Sequence, residues 1–133
     1  MVKEKKTASQ SGASRDPMDF LPLTPAMFHI LLALADRERH GYRIMQEVEE
    51  RTEGSVHLGP GTLYGSIKRM LSDGLVEESG ERPDPEMDDE RRRYYRLTDF
   101  GYRVATAEAE RLARLVKSAR SKKLLHEFRE VTR

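Results

Sequence analysis

At Asp73-Gly74 the spacing of apolar residues changes character, and that change limits what the chain can fold into. Upstream, apolar residues recur at three- and four-residue steps, the period of a helix with one buried face. Downstream, Leu75 to Ser79 and Arg92 to Leu97 read as two extended segments. Thr98 then caps a last helix, in which Ala105, Ala109, Leu112, Val116 and Ala119 recur at nearly heptad spacing. The chain is therefore mainly α with a small β-hairpin.

Three helices are legible before the change. Thr24-Pro25 is a start signal, because a hydroxyl can accept a first-turn N–H and proline loses nothing where that N–H has no partner. From Met27 to Ala35 every position except His29 is apolar, which predicts a helix buried on most of its surface. Asp36 to His40 reads as a polar turn with His40 in a capping role, and Gly41 opens a second helix. Its Ile44, Met45 and Val48 share one face, its Glu47, Glu49, Glu50 and Arg51 share the other, and Gly54 ends it. Val56-His57-Leu58 has strand character. Gly59-Pro60-Gly61 reads as a tight turn, after which Thr62 enters a third helix. There Leu63, Ile67, Met70 and Leu71 form one apolar face that stops at Asp73-Gly74.

Three helices followed by a hairpin is the plan of a winged helix-turn-helix. In that plan the third helix lies in the major groove of DNA, with its N-terminal residues reaching phosphates and base edges. Its polar surface carries Thr62, Tyr64, Ser66, Lys68 and Arg69, groups that donate to phosphate oxygens or to guanine. The same residues would also serve as an ordinary solvated face. With 24 basic against 23 acidic residues the formal net charge is only +1, so attraction to DNA has to come from a local patch. The densest basic cluster is Arg91-Arg92-Arg93 at the base of the hairpin. The wing loop, Arg82 to Glu90, instead carries Asp84, Glu86, Asp88, Asp89 and Glu90, which the negative potential of a minor groove would repel. The reading that follows puts the base of the wing on phosphate and its tip in solvent; an Arg–carboxylate network within the hairpin is the alternative.

Leu23-Thr24-Pro25, His40-Gly41-Tyr42, Gly61-Thr62-Leu63-Tyr64 and Asp73-Gly74-Leu75-Val76, in that order, resemble the signatures of the PadR-like regulator family. Arg93-Tyr94-Tyr95-Arg96-Leu97-Thr98 followed by Gly101 is similar to its second wing strand and the start of the helix beyond. The resemblance runs from about Leu23 to Gly101. It implies a bacterial transcriptional repressor, a winged-helix homodimer of the compact branch whose single C-terminal helix supplies the interface. It also implies that Tyr42, Thr62 and Tyr64 fall where DNA is contacted.

Three regions are expected: a flexible tail over residues 1–19, a winged helix-turn-helix over 20–97, and a dimerisation helix over 98–133. Residues 1–19 are rich in Lys, Ser, Thr, Ala and Gly and hold too few large apolar groups to offset the entropy of ordering. A further amphipathic stretch holds Leu124, Leu125, Phe128 and Val131. No apolar run approaches the ~18 residues that a membrane span needs, and Lys3, Lys5 and Lys6 are followed by no apolar signal segment. Absence of cysteine removes disulfides and thiolate chemistry, which suits a cytoplasmic setting. The four histidines are scattered, the acidic loop lacks the Gly and terminal Glu of a calcium loop, and Gly59-Pro60-Gly61 lacks the Gly-Lys-Ser/Thr of a phosphate loop. No enzyme, metal or cofactor is expected. The expected partners are double-stranded DNA, a second copy of the chain and an unidentified small-molecule effector. A winged-helix protein-interaction module and a ligand-binding sensor are the competing readings.

Overall fold

The computed structural model describes residues 15–86 and 88–126, with only the backbone of 88–90. A short 3-10 helix (Pro17–Phe20) precedes α1 (Pro25–Leu34), β1 (Arg39–His40), α2 (Gly41–Arg51), α3 (Pro60–Ser72), β2 (Val76–Asp84), β3 (Asp88–Leu97) and α4 (Asp99–Ser121). The strands form one antiparallel sheet in the order β1-β3-β2. This is a winged helix, with β2 and β3 as the wing.

Helix α1 is the central spar, packing on α2, α3, α4 and β3 at once. Its Ile30, Leu31 and Ala33 meet Ile44 and Val48 of α2, Leu63, Ile67 and Met70 of α3, Leu75, Val76, Tyr95 and Val104 in a single apolar cluster. The helix starts follow from local chemistry. Thr24 accepts the Met27 N–H through its hydroxyl at 3.1 Å, and Thr98 does the same for Gly101 at 2.9 Å. Thr98 Oγ1 also donates to the Gly74 carbonyl at 2.6 Å, which ties the start of α4 to the end of α3. At Gly101 a Cβ would lie 1.9 Å from the Leu75 carbonyl oxygen, so only glycine lets α4 approach the foot of the wing this closely.

Several expectations need correction. Gly59-Pro60-Gly61 is no turn: α3 begins at Pro60, because a proline at the first helical position is as compatible with a helix as with a bend. Val56-His57-Leu58 forms no strand. The strand lies instead at Arg39–His40, where two residues of the expected polar turn pair with Tyr95 and Tyr94 of β3. The long wing loop is mostly strand, with Asp84 paired to Asp88 across a short turn. The tail expected to reach Asp19 gives way earlier to structure. The Asp16 side chain accepts the Met18 N–H, Arg15 donates to the Asp73 carbonyl at 2.7 Å, and the Arg15 guanidinium lies 4.0 Å from the Phe100 ring centre.

Glu108 of α4 is buried. It accepts the Leu23 N–H at 3.1 Å and two bonds from the Arg111 guanidinium at 2.6 and 3.0 Å. It thereby pins α4 to the segment that leads into α1. The Arg111 bond, more than the Leu23 N–H, holds its carboxyl below the usual range, against the opposing effect of burial. A depressed carboxylate contributes stability above its unfolded-state pKa and loses that contribution as pH falls through the native value. Glu108→Gln should therefore lower Tm at neutral pH by about 5 °C or more, and its Tm should fall less steeply than wild type on acidification. Parallel pH profiles for the two proteins, measured by calorimetry, would contradict this role.

Candidate nucleic-acid interface

The outward face of α3 is small and polar. Leu63, Ile67 and Met70 point into the core, leaving Gly61, Thr62, Gly65, Lys68 and Arg69 exposed, with Tyr64 and Ser66 on the two flanks. A Cβ at Gly61 or Gly65 would meet nothing within 4 Å, so neither glycine is required by packing inside the chain. In a helix interior glycine costs about 1 kcal/mol relative to alanine. One turn apart, the pair leaves a shallow strip along which another backbone can come close. The N-cap, Gly59, offers no side-chain acceptor, so the partial positive charge at the start of α3 has no side chain to satisfy it. Lys68 has no carboxylate partner among the described residues. Arg69 sits 3.7 Å from Asp73 with most of its side chain in solvent.

Tyr64 is half exposed, 47%, yet its ring is spoken for. A Cβ on Gly41 would fall 2.1 Å from the Tyr64 hydroxyl oxygen. The phenol therefore rests on bare backbone at the start of α2 and sets how closely the two helices pack. Tyr42 is the next residue of α2, 42% exposed, with the Arg92 guanidinium 5.8 Å from its ring centre. Tyr42, Tyr64 and Arg92 are thus gathered around one helix start. The triplet lies in the outer half of the wing, paired with Pro83, Arg82 and Glu81, and not at its base as expected, because the strands run on to Asp84 and Asp88; its other two arginines point elsewhere. Arg93 reaches Glu78 at 3.7 Å, while Arg91 reaches Glu81 at 4.0 Å and donates to its carbonyl. Arg96 and Glu77 add a third cross-strand pair at 2.8 Å. The carboxylate network posed as an alternative is therefore present at Arg91 and Arg93, in solvent-exposed pairs that bind weakly and exchange readily.

Asp84 departs from the expectation of a solvated acidic tip, for it is buried. It accepts the Glu86 N–H at 2.9 Å, pairs with His40 Nε2 at 2.9 Å and accepts Arg43 Nε at 3.0 Å. These three, in that order of effect, hold its carboxyl far below the usual range. Sequence reading missed this cluster because its members lie 41 and 44 positions apart. A capping role for His40 is correct, since its Nδ1 accepts the Arg43 N–H at 3.3 Å.

On α4, Ala105 packs against the monomer core instead of lying free for a partner. From Leu112 onward no described residue is buried. Leu115 and Val116 are 54% and 43% exposed, and with Leu112 and Ala119 they continue the core-facing line of α4 past the end of the core. Ala109 is exposed beside them. Leu115 had been overlooked on the sequence. Leu124 and Leu125 are exposed, whereas Phe128 and Val131 lie outside the described residues. No described helix is long and apolar enough to cross a membrane.

The family model for PadR-like transcriptional regulators matches residues 30–107, which takes in α2, α3 and the whole wing. The chain belongs to the PadR-like family of transcriptional regulators. It is 35% identical over 89 residues to a transcriptional regulator of Mycobacterium tuberculosis, covering 67% of this chain and 77% of that one. It is 36% identical over 90 residues to a 37.1 kDa protein of a Streptomyces fradiae transposon, covering 68% of this chain but only 24% of that protein. A Lysinibacillus sphaericus protein is 33% identical over 73 residues, 54% of this chain and 63% of its own length. The chain thus spans less than two thirds of these last two relatives. Among solved structures, a PadR family transcription regulator from Clostridium difficile superposes with a TM-score of 0.60 at 28% identity, covering 75% of this chain and 98% of that one. A transcriptional regulator from Clostridium thermocellum gives 0.59 at 25% identity, covering 73% and 87%.

In this PadR-like chain the Gly41–Tyr64 contact should behave as a coupled pair. Gly41→Ala should destabilise by about 1–3 kcal/mol through overpacking. In a Tyr64→Ala background the same change should cost much less, a coupling of at least ~1 kcal/mol. Additive costs in denaturant titrations would show that the phenol does not set the approach of α2 and α3.

Proposed function

We propose that this PadR-like regulator is a homodimeric repressor that binds a pseudo-palindromic DNA duplex, with α3 of each protomer in the major groove. The observation that carries the reading is the outward face of α3. It combines hydroxyl and basic groups, an N-terminus without a side-chain cap, and two glycines that packing inside the chain does not require. Thr62 and Ser66 suit phosphate or base-edge hydrogen bonds, Lys68 and Arg69 suit phosphate or guanine, and Tyr42 and Tyr64 border the strip. Arg92 would meet the backbone from the wing. Arg91 and Arg93 would do so by exchanging exposed carboxylate partners for phosphates, a trade that weak surface pairs permit. Repression is the part implied by family resemblance.

Dimerisation is supported by the apolar line of Leu112, Leu115, Val116 and Ala119, flanked by Ala109. A stripe of this kind left in water is a liability that a two-fold partner helix removes. Burying a Leu or Val side chain is worth roughly 1.5–3 kcal/mol, and the two-fold axis counts each change twice. Selection from random duplexes should return half-sites centred about one helical turn, or a multiple of it, apart. Leu112→Asp with Val116→Asp should give a folded monomer by sedimentation whose operator affinity falls by on the order of 100-fold, because linked binding is lost. A double variant that stays dimeric would refute the interface. A monomer that binds as tightly as wild type would refute the link between assembly and recognition.

A further inference from the structure

The wing is a two-stranded ribbon, and ribbons of that size are marginally stable on their own. Something has to hold its far end, and the structure supplies it at the turn. A single carboxylate, Asp84, closes the turn by accepting the Glu86 N–H. Its other oxygen faces His40 and Arg43 at the start of α2. Because His40 Nδ1 accepts the Arg43 N–H, the ring proton sits on Nε2 and is donated to Asp84. One imidazole therefore caps α2 and grips the wing together. The Tyr94 ring stands edge-on to His40, with centres 5.2 Å apart. The Arg82 guanidinium lies 3.8 Å from the centre of the Tyr94 ring and pairs with Glu38.

We propose that His40, Asp84 and Arg43 form a latch that fixes the pitch of the wing against α2, which makes His40 and Asp84 positioning residues for duplex recognition. The proposal rests on the DNA reading above. Its physical basis is leverage. The latch lies at the tip, and Arg91, Arg92 and Arg93 pair with Pro83, Arg82 and Glu81 just inside it, so they are held between two anchors, the core at Tyr95 and the latch at Asp84. Releasing the tip leaves one anchor, and the arginines then sample many positions relative to α3. Recognition of one duplex geometry should suffer more than general attraction to phosphate, because base contacts need register and charge does not.

Two amides separate the two jobs of the imidazole. An asparagine oxygen can replace Nδ1 as helix cap but falls short of Asp84; a glutamine nitrogen can replace Nε2 toward Asp84 but caps poorly. In the full-length protein, His40→Asn should keep Tm close to wild type while amides of the wing tip exchange at least about tenfold faster. Its affinity for the selected operator should fall about tenfold, the size of one lost specific contact, with little change on a random duplex. His40→Gln should show the reverse: a lower Tm, with wing exchange and operator affinity near wild type. Asp84→Asn provides a second opening of the latch that leaves the cap untouched, and should match His40→Asn. Unchanged wing exchange in both His40→Asn and Asp84→Asn would overturn the latch whatever the DNA result. Faster exchange with operator affinity intact would overturn its role in recognition. A wild-type protein that binds no duplex would instead sink the DNA reading, while the exchange data still report on the latch.

Discussion

Helices α2 and α3 meet at Gly41 with no room for a side chain, since a Cβ there would overlap the Tyr64 hydroxyl. Much of the molecule is arranged around that contact. It sets the packing of the helix-turn-helix pair, and it occurs next to His40, which joins the wing to the same helix start. Tyr42 follows at once and receives Arg92 from β3. Three consecutive residues thus bring α2, α3 and the wing to one place. A substitution at any of them moves parts that are distant in sequence.

Charge is distributed in keeping with that geometry. Cross-strand glutamates face Arg91, Arg93 and Arg96 along the wing, and Asp84 is turned inward. With eight acidic and five basic side chains over residues 76–97, the wing is net acidic in a chain whose net charge is only +1. On α3 the basic groups are less encumbered, with Lys68 free of any described carboxylate and Arg69 only loosely held by Asp73. On the proposed DNA-binding reading, sequence-independent attraction should accordingly be modest, with discrimination left to the small, polar face of α3.

How much of this was legible in the sequence depends on the range of the interaction. Caps at Thr24 and Thr98 and the face of Leu63, Ile67 and Met70 are local signals, and all three are present in the structure. Pro60 misled because proline suits both a turn and a first helical turn. The wing was read too short because Gly80, Pro83 and a run of charges look like loop, whereas cross-strand Arg–Glu pairs make those charges compatible with strands. Asp84 was misread for a different reason: its partners lie on α2, and no local pattern marks a carboxylate for burial. Glu108 was overlooked in the same way, its Leu23 partner lying 85 positions away. The stripe on α4 was found, but at Ala105 periodicity could not distinguish the monomer's own core from a partner's.

The central claim is that the outward face of α3 is shaped for a close approach of DNA. Gly65 tests it most directly, because its replacement separates stability from recognition. The site is open, so Gly65→Ala should gain up to about 1 kcal/mol of helix stability and raise Tm by several degrees. The added methyl group should stand between α3 and the groove and lower operator affinity by about tenfold, while the protein remains dimeric. Measured together by calorimetry and duplex titration at fixed salt, a higher Tm with weaker binding is the predicted result. A higher Tm with unchanged or tighter binding would contradict the account.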